Sequence, residues 1–199
     1  MEWRHDATLI PVEHANAGLS RIGVVVDGLF AAALVAQCAA NLVASGYRLG
    51  CVVQSNAHRR ARRRCDMYLK DLLRGDEIKI SLDRGSEARG CRLDPDAFAR
   101  IDAWIERAVL ERVDLLIINR FGKEAHGRGL RPLIAEALIA DIPLMIGVST
   151  QNLCDFLTFV GDLATRLSPD VEVITAWCRN AIERRAHHRF QLRLSSVQA

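Results

Sequence analysis

Apolar residues recur along this chain in two rhythms, short β-branched runs and longer stretches with apolar positions at helical spacing. Ile22-Gly-Val-Val-Val-Asp27 has strand character, and the alanine-rich residues 29–45 have the composition and length of a helix, with Gly46 as its stop. Residues 48–54 read as a second strand. A strand, helix, strand unit of this length suits a right-handed parallel crossover. The pattern then changes: Met67, Leu69, Asp71 and Leu73 alternate, Arg74-Gly-Asp-Glu77 is turn-like, and Ile78, Ile80 and Leu82 alternate again. Residues 66–83 are therefore expected to form an inserted β-hairpin. Asp94-Pro95 has the chemistry of an N-cap and first helical turn and should open a helix reaching about Arg112. The remaining pattern predicts a central strand at 114–119, a helix at 130–140, a strand at 142–148, a helix at 152–167, a short last strand at 171–175 and a basic C-terminal helix.

Alternation of this kind specifies an α/β fold, a mostly parallel sheet with helices on both faces. The expected organisation is an N-terminal arm (1–20), one α/β domain (21–177) carrying the hairpin at 66–83, and a basic C-terminal helix and tail (178–199). With 199 residues, half of them hydrophobic, one substantial core can form. A net charge of +3 implies neither nucleic acid nor membrane. No run approaches the roughly 18–20 uncharged apolar residues of a membrane span, and Met1-Glu-Trp-Arg-His-Asp6 is no signal sequence, so a cytoplasmic protein is expected. The 6 cysteines are scattered without a Cys-x-x-Cys pair, which argues against a zinc ribbon or disulfide framework and for small apolar fillers. No metal site is assigned.

In such a sheet the ligand site lies at the carboxyl ends of the strands, so the turns after Asp27 and after Asn119 should share one crevice. A phosphate-binding loop needs glycines, a lysine and a hydroxyl. The turn Val26-Asp-Gly-Leu-Phe-Ala-Ala-Ala33 offers Gly28 but no lysine and no hydroxyl. Asp27 also opposes a phosphate: like charges about 4 Å apart repel by of order 4 kcal/mol in an effective dielectric near 20. Asp27-Gly28 can equally serve to end a strand and cap a helix.

The run Asp114-Leu-Leu-Ile-Ile-Asn-Arg-Phe-Gly-Lys-Glu-Ala-His-Gly-Arg-Gly-Leu-Arg131, with Gly90-Cys-Arg-Leu-Asp-Pro95, Ile142-Pro-Leu-Met-Ile-Gly-Val148 and Asn152-Leu153, resembles a bacterial family catalogued as a domain of unknown function. Its members are often labelled nucleoside-triphosphatase-like or molybdenum-transport ATP-binding, and occur near molybdenum and nitrogen-fixation genes. More distantly, the strand ending in Asn119 is similar to the second motif of P-loop nucleoside-triphosphatases. That resemblance implies a degenerate site: Asn119 stands for a metal-binding aspartate, Arg120 for a catalytic glutamate, and only Gly122-Lys123 persists. Asn119 still offers a carbonyl or an amide donor, whereas Arg120 cannot accept a proton. Hydrolysis is expected to be lost.

Lys123, Glu124, His126, Arg128 and Arg131 cluster after this strand, and Arg84, Arg89 and Arg92 occupy another glycine-containing loop. If the loops converge they form a cationic nest for a nucleotide with Mg²⁺, a phosphate or molybdate; otherwise they are solvated surface. Cys91, between Arg89 and Arg92, is either a thiolate-prone cysteine or buried packing. His58-Arg-Arg-Ala-Arg-Arg-Arg64 lacks an interleaved aromatic for base stacking, so nucleic acid is not the expected partner. The sequence reading is thus a binding protein for an anionic small molecule or a protein partner, accessory to molybdenum or nitrogen-fixation metabolism. The alternative is a phosphoryl-transfer enzyme using Asp27, Asp94 or Glu124.

Overall fold

The structure, a computed structural model, describes residues 20–27, 31–57, 66–71, 73–82, 94–121 and 130–197. The first strand, β1 (Ile22–Asp27), leads to helix α1 (Ala31–Ala44) and then to β2 (Leu49–Ala57). The hairpin follows as β3 (Asp66–Asp71) and β4 (Glu77–Lys79), pairing antiparallel. Next come α2 (Pro95–Leu110), β5 (Leu115–Phe121), α3 (Leu130–Ile139) and β6 (Leu144–Ser149). The chain ends in α4 (Leu153–Val160), β7 (Ala164–Leu167) and α5 (Val171–Val197). Seven strands make one sheet in the order β4-β3-β2-β5-β6-β1-β7. Five of them, β2 to β7 in that order, run parallel, and the hairpin adds two antiparallel strands at the β2 edge. This is the α/β architecture the alternating pattern predicts.

Strand alternation sorts side chains to the two faces. On β5, Leu116 and Ile118 pack with Ala97, Ile101 and Ile105 of α2, Leu133 and Ile134 of α3, and Phe156 of α4. Leu115 and Ile117 join the other cluster, with Val35, Cys38 and Leu42 of α1 and Ile174, Cys178 and Ile182 of α5. Buried positions on α1 and α5 recur at three, four or seven residues, as a helix with one core-facing stripe requires. Cys38 and Cys178 are fully buried fillers, whereas Cys154 is exposed. At α2 the cap forms as its residues dictate: Asp94 is the N-cap, its side chain accepting from the Asp96 N–H at 3.0 Å, with Pro95 in the first turn.

Two expectations fail, and both lie near the C-terminus. The helix expected over 152–167 stops at Val160, because Gly161 adopts φ 55, and the chain returns as β7 beside β1. The strand expected at 171–175 is the first turn and a half of α5. Here the Asp170 carboxylate accepts from the Glu172 and Val173 N–H groups at 2.8 and 3.0 Å, a cap that overrides the β-branched Val171 and Val173. α5 then runs without a break through residue 178, where the basic C-terminal helix was expected to begin. Among the described residues no helix is long and apolar enough to cross a membrane.

Asp71 closes the hairpin, its carboxylate accepting from the Leu73 N–H at 2.9 Å. Burial pushes its pKa above the ordinary 3.8. Well below pH 3.8 the acid is neutral in both folded and unfolded chains; the penalty of ionising it in the fold grows as pH rises from there through the raised folded pKa and is constant above it. Asp71→Asn keeps the acceptor and removes the charge. Its Tm should exceed that of the unsubstituted protein at pH 7, with the gap closing below pH 4; an equal gap at both pH values would refute the account.

Candidate functional site

Parallel pairing puts the carboxyl ends of β1, β5 and β6 on one edge of the sheet. Asp27 is the register partner of Ser149 across adjacent strands, and β5 lies on the far side of β6. β1 and β5 are therefore separated by roughly 10 Å, two strand spacings. The chain leaves β1 toward α1 on one face and leaves β6 toward α4 on the other. Connections that part in this way between neighbouring strands open a crevice at their carboxyl ends.

An irregularity of the ladder lies at the same edge. Ile118 pairs with Ile146 and Phe121 with Val148, so two residues of β5, Asn119 and Arg120, stand opposite the single Gly147. This is a one-residue bulge, uncommon in parallel pairs, and such bulges redirect side chains beside binding sites. It falls on Asn119 and Arg120, the two positions at which the distant resemblance to P-loop nucleoside-triphosphatases would set an aspartate and a glutamate. The backbones of Asp27, Asn119 and Arg120 are described as strand; Gly28, Arg89, Arg92, Gly122, Lys123, Glu124 and Arg128 lie outside the described residues, as do Cys91, His126 and residues 58–64. Arg131 is in the first turn of α3, its guanidinium carbon 5.1 Å from the Phe159 ring centre on α4 and its Nε without a partner.

Ser149 and Asn152 join this edge without having been singled out from the sequence. The Asn152 Nδ2 donates to Ser149 Oγ at 2.8 Å, and Asn152 is buried. The signal was the switch from the apolar run 142–148 to Ser149-Thr-Gln-Asn152 at a strand's carboxyl end. Among the described residues, no three His, Cys, Asp or Glu side chains are grouped to hold a metal ion.

The model of the family described as "Protein of unknown function (DUF2478)" matches residues 23–177. The chain belongs to the DUF2478 family. That match spans all seven strands, from β1 to β7, together with the first turns of α5. Among curated proteins this DUF2478 chain is similar to "Molybdenum import ATP-binding protein ModC 2" of Bradyrhizobium diazoefficiens, at 34% identity over 182 residues. The aligned region covers 89% of the chain but 20% of that relative. The relative's name therefore describes a polypeptide about five times longer than the shared region. No solved structure matches the chain.

Proposed function

We propose that the carboxyl edge over β1, β6 and β5 binds an anionic ligand, a nucleotide, phosphate or molybdate-like oxyanion, without hydrolysing it. The bulge at Asn119 and Arg120 carries this reading, because it spends an irregularity of the ladder on the two residues that replace an acidic pair. A guanidinium and an amide there recognise anions and cannot activate water. The helices that follow β1, β5 and β6 also begin at this edge and turn the positive ends of their dipoles toward it.

The relative's name supports an accessory or regulatory role in molybdenum handling, and the resemblance noted in the sequence extends this to nitrogen-fixation metabolism. With a fifth of the relative's length shared, ATP binding by that protein does not transfer to this chain. Isothermal titration with ATP, GTP and molybdate, each with and without Mg²⁺, tests the proposal. One of the three should bind saturably and weaken with added salt, and Lys123→Ala should weaken it about tenfold or more, the value of one charge-assisted hydrogen bond. Mg²⁺-dependent phosphate release that disappears in Lys123→Ala would replace this reading with the hydrolytic one, in which Asp27 beside Ser149 supplies the carboxylate.

A further inference from the structure

The opposite edge of the sheet holds a cleft that the carboxyl-edge reading leaves unused. Its volume is about 200 Å³, and it is bounded by Ser20 and Arg21 before β1, Asp141 and Pro143 before β6, and Arg184, Arg185 and His188 of α5. Three arginines and a histidine thus face one carboxylate. Asp141 is already shared, accepting from Arg21 Nη1 and contacting His188 Nδ1, each at 3.2 Å. Arg184 donates to the Ser20 carbonyl at 3.4 Å.

Arg185 is the unusual member. It is 8% exposed, and its Nη1 donates to the backbone carbonyls of Val113 and Asp114 at the start of β5. Its Nε and Nη2 are buried and have no partner. Burial lowers its pKa, and the nearby Arg189 adds to that, only partly offset by Asp141 and Asp114. A guanidinium edge of Nε and Nη2 is a two-pronged donor whose geometry matches two oxygens of one anion. Leaving it empty inside the protein forfeits hydrogen bonds that the buried charge needs.

We propose that this amino-edge cleft is a binding site for a small tetrahedral oxyanion, with Arg184 and Arg21 forming its positive wall and the Nε and Nη2 edge of Arg185, closed to solvent behind that wall, reached as Arg21 and His188 swing aside. Size selects the ligand class. At about 30 Å³ per water the cleft holds several waters, and it falls below the roughly 300–1,000 Å³ of pockets that enclose drug-sized ligands. Phosphate, sulfate or molybdate fits this volume. The Arg21 and His188 side chains, 43% and 51% exposed, form the part of the wall that can yield to admit it. Asp141 is the competitor that holds them in place.

Titration of the full chain with inorganic phosphate, sulfate and molybdate, read by calorimetry and by the anion-dependent rise in Tm, tests the site. One of these ions should bind with 1:1 stoichiometry at this cleft. Arg185→Lys, which keeps the charge but loses the fork, and Arg184→Gln should each weaken that binding at least tenfold, and Asp141→Asn should tighten it. If Arg185→Lys does not fold, the opposite responses of Arg184→Gln and Asp141→Asn still decide. Absence of saturable binding by all three ions, or binding indifferent to Arg184→Gln and Arg185→Lys, overturns the proposal. Binding lost in Lys123→Ala but kept in Arg185→Lys also overturns it, and credits the carboxyl edge instead.

Discussion

Replacing Gly50 by valine should lower Tm by about 6–12 °C, the equivalent of roughly 3 kcal/mol for a chain of this size. Gly50 lies in β2 with its missing side chain aimed at α2. A Cβ built there would come 2.5 Å from the Ala108 Cβ, 3.1 Å from Leu116 Cδ1 and 3.2 Å from Val113 Cγ2. The Ala108 methyl is fixed to its helix backbone and cannot rotate aside, so α2 must lift from the sheet. Overpacking of this kind typically costs about 1–3 kcal/mol, and valine brings two further methyls to the same place. The smaller Gly50→Ala gains a little from a stiffer unfolded chain, about 0.4–1 kcal/mol, and should therefore lose less. A thermal scan in which Gly50→Val melts within 2 °C of the unsubstituted protein would mean that α2 does not approach β2 as closely as described.

The same contact shows what a one-dimensional reading can and cannot reach. Apolar periodicity located β1, β2, β5 and β6 and placed helices between them, because burial on two faces leaves a direct imprint on residue type. Asp94-Pro95 was legible for the same reason: capping chemistry is local. Residues 161–175 were not, because two local signals conflict there. Val171, Val173 and Ile174 favour a strand by type, while the Asp170 cap and the stripe of Ile174, Cys178 and Ile182 against α1 and the sheet make them helix. The cap and the packing of that stripe together decided it. Strand order was equally out of reach, since β1 and β2, joined by a single helix, are separated in the sheet by β6 and β5.

For the candidate site, the strand-end positions of Asp27 and Asn119 follow from order along the chain. The partnership of Asp27 with Ser149 does not, because it depends on β6 lying between β1 and β5. Arg185 was hidden more deeply. Within a run that includes Arg184, Arg189 and Arg193 it reads as one more solvated cation, and only the packing of α5 against the start of β5 shows that it is buried. A basic helix can thus carry a single inward-facing guanidinium that composition averages away.

Deleting Arg120 should remove anion binding at the carboxyl edge while leaving the fold in place. Without that residue Asn119 stands opposite Gly147 and Phe121 stays opposite Val148, which turns the bulged ladder into a regular one. The interior pairs Leu116 with Leu144 and Ile118 with Ile146 are untouched, so the core face of β5 keeps its register. Arg120→Ala makes the comparison informative, because it keeps the extra residue and removes only the guanidinium. Loss of one charge-assisted hydrogen bond, about 1.5–3 kcal/mol, should weaken the ligand about 10- to 150-fold in Arg120→Ala. The deletion should weaken it further, since it removes the bulge in the backbone as well. Equal affinities for the two variants would show that charge alone matters and that the bulge has no part in recognition; full affinity in both would remove the Asn119 and Arg120 pair from the site.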